Sequence, residues 1–509
     1  MSAVTEVPQA LRPRPLGPGT PRGAAHTDTH TGAVLLVVGH AVMGIAMSYS
    51  SLLASAVAGL TLVGAIGLAA FSKRIELAVV AAIYVGASDV LWRMTNAKIP
   101  WESGKYVFAL VLLILLARFI RRLRQPFVPL LYLFVLLPSG ALTFWQLGLG
   151  LGRSEISLTL AGPLALGVAV LVFRQLIATE AEFRRMLWAV VAPAASVAAI
   201  ATKGTLAAGT IKFTGESNFV TSGGYGPNQV SNILGAAATC CLLLFLSRAP
   251  LRVRIVSLMV GAWLLGQALL TLSRGGVWGF VAGGVCIGLT GLVTSGSRSR
   301  VLTIGVVVVL AAVLVYSWVN LFTAGSLANR YADQSSTNRS DIARGDLALF
   351  GQNPIFGVGP GVAKFVRSGV VEADGNTHTE YSRLLAEHGV FGVVALVLLG
   401  VMFVQSLRSA TTTWNRFASV SLGVYALFTM SHSATRIAII AVLFGLAALR
   451  IDPDDAPGDA GRAAPASTAR RSAPGPAFGQ HPPSYRESLS ARTRQRDRSG
   501  RARRADADR

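Results

Sequence analysis

Residues 301–323 read VLTIGVVVVLAAVLVYSWVNLFT, twenty-three positions without a charge. Apolar side chains point all round such a helix, so no face is left for water. About 20 apolar residues carry a helix across the hydrocarbon core of a bilayer, and this stretch reads as a membrane span. Similar runs recur at about 32–50, 52–72, 75–93, 105–120, 126–147, 157–176, 185–203, 229–247, 253–273, 276–296, 389–407, 417–431 and 436–450. Together they predict an all-α polytopic transmembrane helix bundle of about 12–14 spans. The composition agrees: 52% of the 509 residues are hydrophobic and 14% charged, against about 25% charged in ordinary soluble domains. A string of soluble domains is excluded. So is a disulfide-stapled secreted fold, because Cys240, Cys241 and Cys286 all sit inside apolar runs.

The net charge of +22 comes from 46 Lys and Arg against 24 Asp and Glu. In a bundle of spans this excess marks cytoplasmic loops, not a nucleic-acid partner. The clusters Lys73-Arg74, Arg118 to Arg124, Arg184-Arg185, Arg248 to Arg254, Arg298-Arg300 and Arg408 to Arg416 are each two spans apart, which places them on one side. The expected protein is multi-pass in a bacterial plasma membrane, with both termini cytoplasmic. The first run lacks a convincing cleavage site and reads as a retained span.

Residues 1–31 are Pro-rich and 451–509 are rich in Ala, Pro, Arg and Asp. Neither holds enough apolar surface to offset the entropy of ordering, so both are expected to be disordered tails. The distal tail is basic, which suits anionic lipid head groups as well as a merely solvated tail. Between them lie N-terminal transmembrane helices over 32–204 and C-terminal ones over 205–450. Two outer loops are long, about 204–228 and 324–388. The second holds Leu347, Leu349, Phe350, Phe356, Phe365, Tyr381, Leu384 and Leu385. It reads as a small helical extracytoplasmic domain of two short helices and a Gly-rich turn.

Three outer motifs carry the chemistry. Ser273-Arg274-Gly275-Gly276 embeds an arginine between two spans, as an interfacial anchor or as a site that its glycines let another group approach. Arg339 opens a helix capped by Asn338 or Ser340, where the macrodipole makes a cation unfavourable and an anion is needed nearby. Asp341 or Asp333 could supply that anion from within the chain. The Gly357-Val358-Gly359-Pro360-Gly361 run that follows lacks the strand-then-helix setting of a phosphate loop. In Thr377-His378-Thr379-Glu380, Thr377 and Glu380 have capping-box spacing, which makes His378 the first helical residue and keeps its ring neutral. A neutral imidazole suits a general base, and it is equally what a surface histidine looks like. His388, at the far end of that helix, is a weaker candidate whose charged form the helix favours. His40 reads as a satisfied polar residue within the first span. His432 and Arg436 lie in the last outer turn and could line the same cavity. No metal-ligand spacing is present, and no cofactor is implied. Arginines with a neutral histidine make a set for gripping a pyrophosphate and taking a proton from a hydroxyl.

These residues resemble the O-antigen ligase and polymerase family of polytopic bacterial glycosyltransferases, over about 205–408. The marks are Gly226-Pro227-Asn228, Thr271-Leu272-Ser273-Arg274-Gly275-Gly276, Arg339 followed by Asn353-Pro354-Ile355-Phe356-Gly357-Val358-Gly359, and His378 with Glu387-His388-Gly389-Val390-Phe391-Gly392. The chain departs from the family at Thr379, where an Asn is frequent, and at Ala343, where a Trp is usual. The resemblance implies a metal-independent, inverting transfer of a glycan from polyprenyl pyrophosphate to a hydroxyl of a glycan, lipid or wall acceptor on the outer face. In it Arg274 and Arg339 bind the pyrophosphate, His378 is the base, and Asn228, Arg344 and Glu387 add substrate contacts. Ligase and polymerase are not separated. The rival reading is a transporter such as a lipid-linked oligosaccharide flippase, which should hold its charges at mid-membrane on interrupted helices.

Overall fold

The computed structural model describes residues 29–452 apart from 121–122, 210, 214–215, 295–297, 334–338 and 368–376. The expected tails, 1–31 and 451–509, fall outside the described residues except where they border the bundle, as does Asn338. In chain order the helices are α1 (His30–Tyr49), α2 (Ser51–Phe71), α3 (Ile75–Ala87), α4 (Asp89–Met94), α5 (Ser103–Phe119), α6 (Phe127–Val135), α7 (Gly140–Phe173) and α8 (Glu180–Ala207). After a loop come α9 (Pro227–Leu246), α10 (Leu251–Leu270), α11 (Arg274–Thr294) and α12 (Arg298–Phe322). The large loop holds α13 (Ser326–Ala332), α14 (Arg339–Gln352), α15 (Ala363–Val366) and α16 (Glu380–His388). The bundle closes with α17 (Val390–Ser409), α18 (Thr413–Ser433) and α19 (Ile439–Ala447).

Each of the fourteen apolar runs is helical over most of its described length, though not always as one helix. Among the described residues, nine helices are long and apolar enough to cross a membrane: α1, α2, α7 to α12 and α17. The other expected spans fall on shorter helices or on α18, which is long but carries Asn415, Ser419, Ser421, Thr429 and His432. The run drawn at 126–147 breaks after Val135, and α7 then continues through the drawn gap to Phe173. It bends at Gly148, whose φ of 73° lies outside the helical region.

Local chemistry sets the helix starts. Thr179 and Glu182 form a capping box for α8, Pro227 opens α9, and Thr412 caps α18 through the Asn415 amide. Lipid tails offer helices no hydrophobic reason to associate, so close packing of small residues does it. A Cβ on Gly235 of α9 would overlap the Gly276 carbonyl of α11, and one on Gly276 would overlap Ser231. Helices α8 and α9 are almost wholly buried, whereas Val319 is the one buried apolar side chain of α12 among the described residues, so α12 faces lipid. A two-stranded parallel pair, β1 (Ile177–Thr179) and β2 (Arg450–Asp452), ties the link before α8 to the segment after α19.

The basic clusters gather at one end. There Arg185 pairs with Glu76, and Arg118 donates to the carbonyls of Ala69 and Ser72. The large loop caps the other end. It is clamped to α7, where Thr143 donates to the Pro360 carbonyl (2.9 Å), Gln146 to the Val358 carbonyl (3.0 Å), and Lys364 pairs with Glu155 (2.8 Å).

Candidate functional site

Helix α11 begins at Arg274 after a strained turn. Leu272 takes a φ of 51°, a left-handed backbone that costs a branched residue about 1–2 kcal/mol. The loop over 218–222 holds this turn: the Asn218 amide donates to the Thr271 carbonyl (2.8 Å) and Thr221 Oγ1 to the Leu270 carbonyl (2.6 Å). Arg274 is thereby aimed at α13, where its guanidinium donates to the carbonyls of Arg330 and Asp333. Arg330 itself is buried, donates to the Leu272 carbonyl (3.3 Å) and pairs with Asp333 (3.5 Å).

Arg339 is the first residue of α14, half-buried, and faces the same place. Neither expected counter-ion serves it: Asp333 pairs with Arg330, and Asp341 pairs with Arg344. Burial lowers its pKa, and the charges of Arg274 and Arg330 lower it further. Three guanidinium groups therefore converge, and among the described residues the carboxylates of Asp333 and Glu216 act on Arg330 within that cluster.

His378 stands beside this cluster. Burial, then the positive charges of Arg436, Arg339 and Arg367, press its imidazole down to about 4. The ring is neutral at physiological pH, but not for the reason its spacing suggested. Helix α16 starts at Glu380, and Thr379, not Thr377, is the N-cap, without a side-chain cap. Thr377 instead accepts from Arg367 Nη2 (2.5 Å), in a buried network where Asp346 receives Arg367 Nε (3.0 Å) and Nη2 (2.6 Å) and Ser382 Oγ (2.8 Å). Arg436 donates to the Thr377 carbonyl (2.5 Å). The histidine is thus held in a pinned loop, and its buried Nδ1 has no hydrogen-bond partner.

The turn between α18 and α19 joins the site. The His432 ring lies against Gly275, where a Cβ would overlap it. Its nitrogens meet the Phe428 carbonyl (3.1 Å) and Asn232 Oδ1 (3.1 Å). Asn228 reaches the His432 carbonyl and Ser273 Oγ (both 3.4 Å), so it braces the site from α9. Ala434, another left-handed non-glycine (φ 50°), turns the chain toward Arg436. Burial, and Arg383 close by, lower the Arg436 pKa.

Two expectations are placed elsewhere or changed. Arg344 lies on an exposed face with Asp341, apart from the cluster. His388 is fully buried, neither ring nitrogen has a partner, and burial with Arg383 nearby pushes it down to about 3. The charged form expected from its helix end is therefore disfavoured, because loss of water outweighs a partial dipole charge. Glu387 pairs with Arg383 (2.9 Å), and burial lifts its carboxyl to about 7. His40 meets the Leu36 carbonyl (2.8 Å) and Tyr84 (3.1 Å). The Gly-rich run is a packing device: a Cβ on Gly357 would strike the backbone of Glu387, and Val358 and Gly359 donate to the carbonyls of Ala386 and Glu387.

Helices α4, α5 and α7 contribute residues that the motifs did not point to. Arg93 donates to the Arg436 carbonyl (3.3 Å) and pairs with Asp89 (3.0 Å). A cavity of about 250 Å³ lies between these helices, α16 and the Ala434–Arg436 turn. The missed signal is charge inside apolar runs: Asp89, Arg93 and Lys105 fall within or at the edge of spans, where ionisable groups mark function by default. Among the described residues no group of three or more His, Cys, Asp or Glu is arranged to hold a metal ion.

Residues 259–397 match the family model described as O-antigen ligase. No curated protein and no solved structure matches the chain. The matched stretch runs from α10 into α17 and carries Arg274, Arg339 and His378. On that match, the stretch from α10 into α17 is similar to the O-antigen ligase family, in a chain that has nine helices long and apolar enough to cross a membrane among its described residues.

Proposed function

We propose that the protein transfers a glycan from a polyprenyl pyrophosphate to an acceptor hydroxyl, at the end of the bundle away from the basic loops. By the positive-inside rule that end is the outer face. The observation that carries the reading is the convergence of Arg274 and Arg339, 65 residues apart in the chain, beside the neutral ring of His378. The acceptor oxygen attacks the anomeric carbon as the bond to the pyrophosphate oxygen breaks. The hydroxyl proton passes to His378. The pyrophosphate departs with the bonding electrons, and Arg274 and Arg339 stabilise the charge it gains. One displacement inverts the anomeric centre, and the step needs no metal.

The electrostatics favour order. Burial, and then the nearby guanidiniums, hold His378 weakly basic. A bound pyrophosphate neutralises them, so the ring becomes a better base when the donor is in place. The test is transfer in proteoliposomes with a polyprenyl-pyrophosphate glycan and candidate acceptors. Arg274→Ala, Arg339→Ala and His378→Ala should each lose at least about a hundredfold in rate, the usual size of a base or oxyanion contribution. Full transfer by all three variants refutes the reading.

A further inference from the structure

The cavity next to His378 differs in kind from the arginine cluster. Most of its charges are spent on one another; Arg436, which donates to the Thr377 carbonyl, is the lining cation outside the ion pairs among the described residues. Glu102 meets Lys105 (2.5 Å), Glu155 meets Lys364 (2.8 Å), and Arg383 bridges Glu380 (2.6 Å) and Glu387 (2.9 Å). A diphosphate finds little uncompensated positive charge there. What remains open is acceptor oxygen and an aromatic face. Glu102 and Glu155 are each 7% exposed, yet Glu102 Oε1 and Glu155 Oε2 are buried without a hydrogen-bond partner. A buried carboxylate oxygen in that state is costly unless a ligand donates to it. Trp101 has the Arg93 guanidinium 4.6 Å from its ring centroid, and the residue still keeps 55% of its surface exposed.

We infer that this cavity is a subsite for one uncharged sugar ring of the acceptor, stacked on Trp101 and donating hydroxyls to Glu102 and Glu155. Three features fit that ligand and not a phosphate, a peptide or a lipid tail. A pyranose offers a C–H face that an indole covers. It offers several hydroxyl donors, which suit carboxylate oxygens already anchored by lysines. It is compact, and about 250 Å³ lies just under the ~300–1,000 Å³ range of sites that bury drug-sized molecules. The location is also right. Arg436 and Thr377 line the cavity, and Thr377 directly precedes His378 in the chain, so the cavity lies beside the loop that carries the base. The inference rests on the transferase reading for its meaning, while its binding test does not depend on turnover.

The experiment is saturation-transfer NMR on the full-length protein in nanodiscs, with methyl α-glycosides of glucose, galactose, mannose and arabinose as probes and inorganic pyrophosphate as competitor. At least one glycoside should show ring-proton transfer that pyrophosphate leaves unchanged. Trp101→Ala should weaken its binding by about tenfold or more, while Trp101→Phe, which keeps an aromatic face, should hold it within about threefold. Glu155→Gln should weaken it less than Trp101→Ala. Arg339→Ala should leave it unchanged. The inference is overturned if no glycoside binds, if binding survives Trp101→Ala, or if pyrophosphate displaces the sugar. Glycoside binding in a protein that never binds pyrophosphate would instead remove the donor reading and leave the subsite standing.

Discussion

Arg367→Met tests how the base is held. Arg367 and Asp346 have no exposed side-chain surface, and Asp346 receives two bonds from the guanidinium, at 3.0 and 2.6 Å. With the arginine truncated, the carboxylate keeps Ser382 (2.8 Å) and the distant Thr377 hydroxyl (3.4 Å) but no positive charge. Breaking one side of a buried pair costs about 3–5 kcal/mol, because the remaining charge stays out of water. Removing both charges leaves no orphan. Arg367→Met with Asp346→Asn should therefore be more stable than Arg367→Met alone by at least half of that loss, roughly 1.5–2.5 kcal/mol, and the two substitutions should be strongly non-additive. The assay is a double-mutant cycle by denaturant unfolding in mixed micelles, read by tryptophan fluorescence. Transfer should separate from stability. The double variant lacks the 2.5 Å bond from Arg367 to Thr377, so the loop bearing His378 loosens and the rate stays low although the fold returns. A single variant as stable as wild type, or a double variant less stable than both singles, refutes this account.

Other outcomes follow from the same geometry. For His378 the folded pKa of about 4 lies below the ordinary 6.5, so kcat/KM should hold steady through neutral pH and fall only as pH approaches 4. The acid limb of kcat should sit higher, because the bound donor offsets the guanidinium charges. His388, pushed down to about 3, is protonated in the unfolded chain from pH 6.5 downward while it stays neutral when folded. Its contribution is thus lost as pH falls through that window, and His388→Leu should unfold with a shallower acid dependence than wild type. Gly275→Ala should abolish transfer and cost about 1–3 kcal/mol in a thermal-shift series, since the ring it strikes is fixed at both nitrogens. Arg344→Ala removes one exposed ion pair and should leave the transfer rate within about twofold.

Much of the architecture was legible because long apolar runs have one solution in a bilayer. The motifs pointed to Arg274 because it puts a charge where a span begins, and to Arg339 and His378 because of their positions in the long loop between spans. Other parts were hidden for physical reasons. The break between α6 and α7 is marked by Pro138-Ser139-Gly140, a turn signal that is easily passed over inside an otherwise apolar run. Thr377 and Glu380 had the spacing of a cap, but Arg367 and Asp346 compete for Thr377, and tertiary pairing wins over a local motif. Glu155 reads as a stray acid until Lys364, 209 residues on, is seen beside it. Such long-range ion pairs decide the cavity, and one-dimensional patterns do not record them.

The clasp between β1 and β2 bears on how the protein is made. Helix α19 is buried from Ile439 to Ala447, packed against α3, α7 and α18, and β2 seals it by pairing Arg450 with Ile177. The ribosome delivers these residues after every wall of the slot they fill. Until then the nascent bundle presents an open seam along α3 and α7, and its insertion machinery must guard that seam. A stop codon before Ile439 would release a protein holding Arg274, Arg339 and His378 that still cannot close around them.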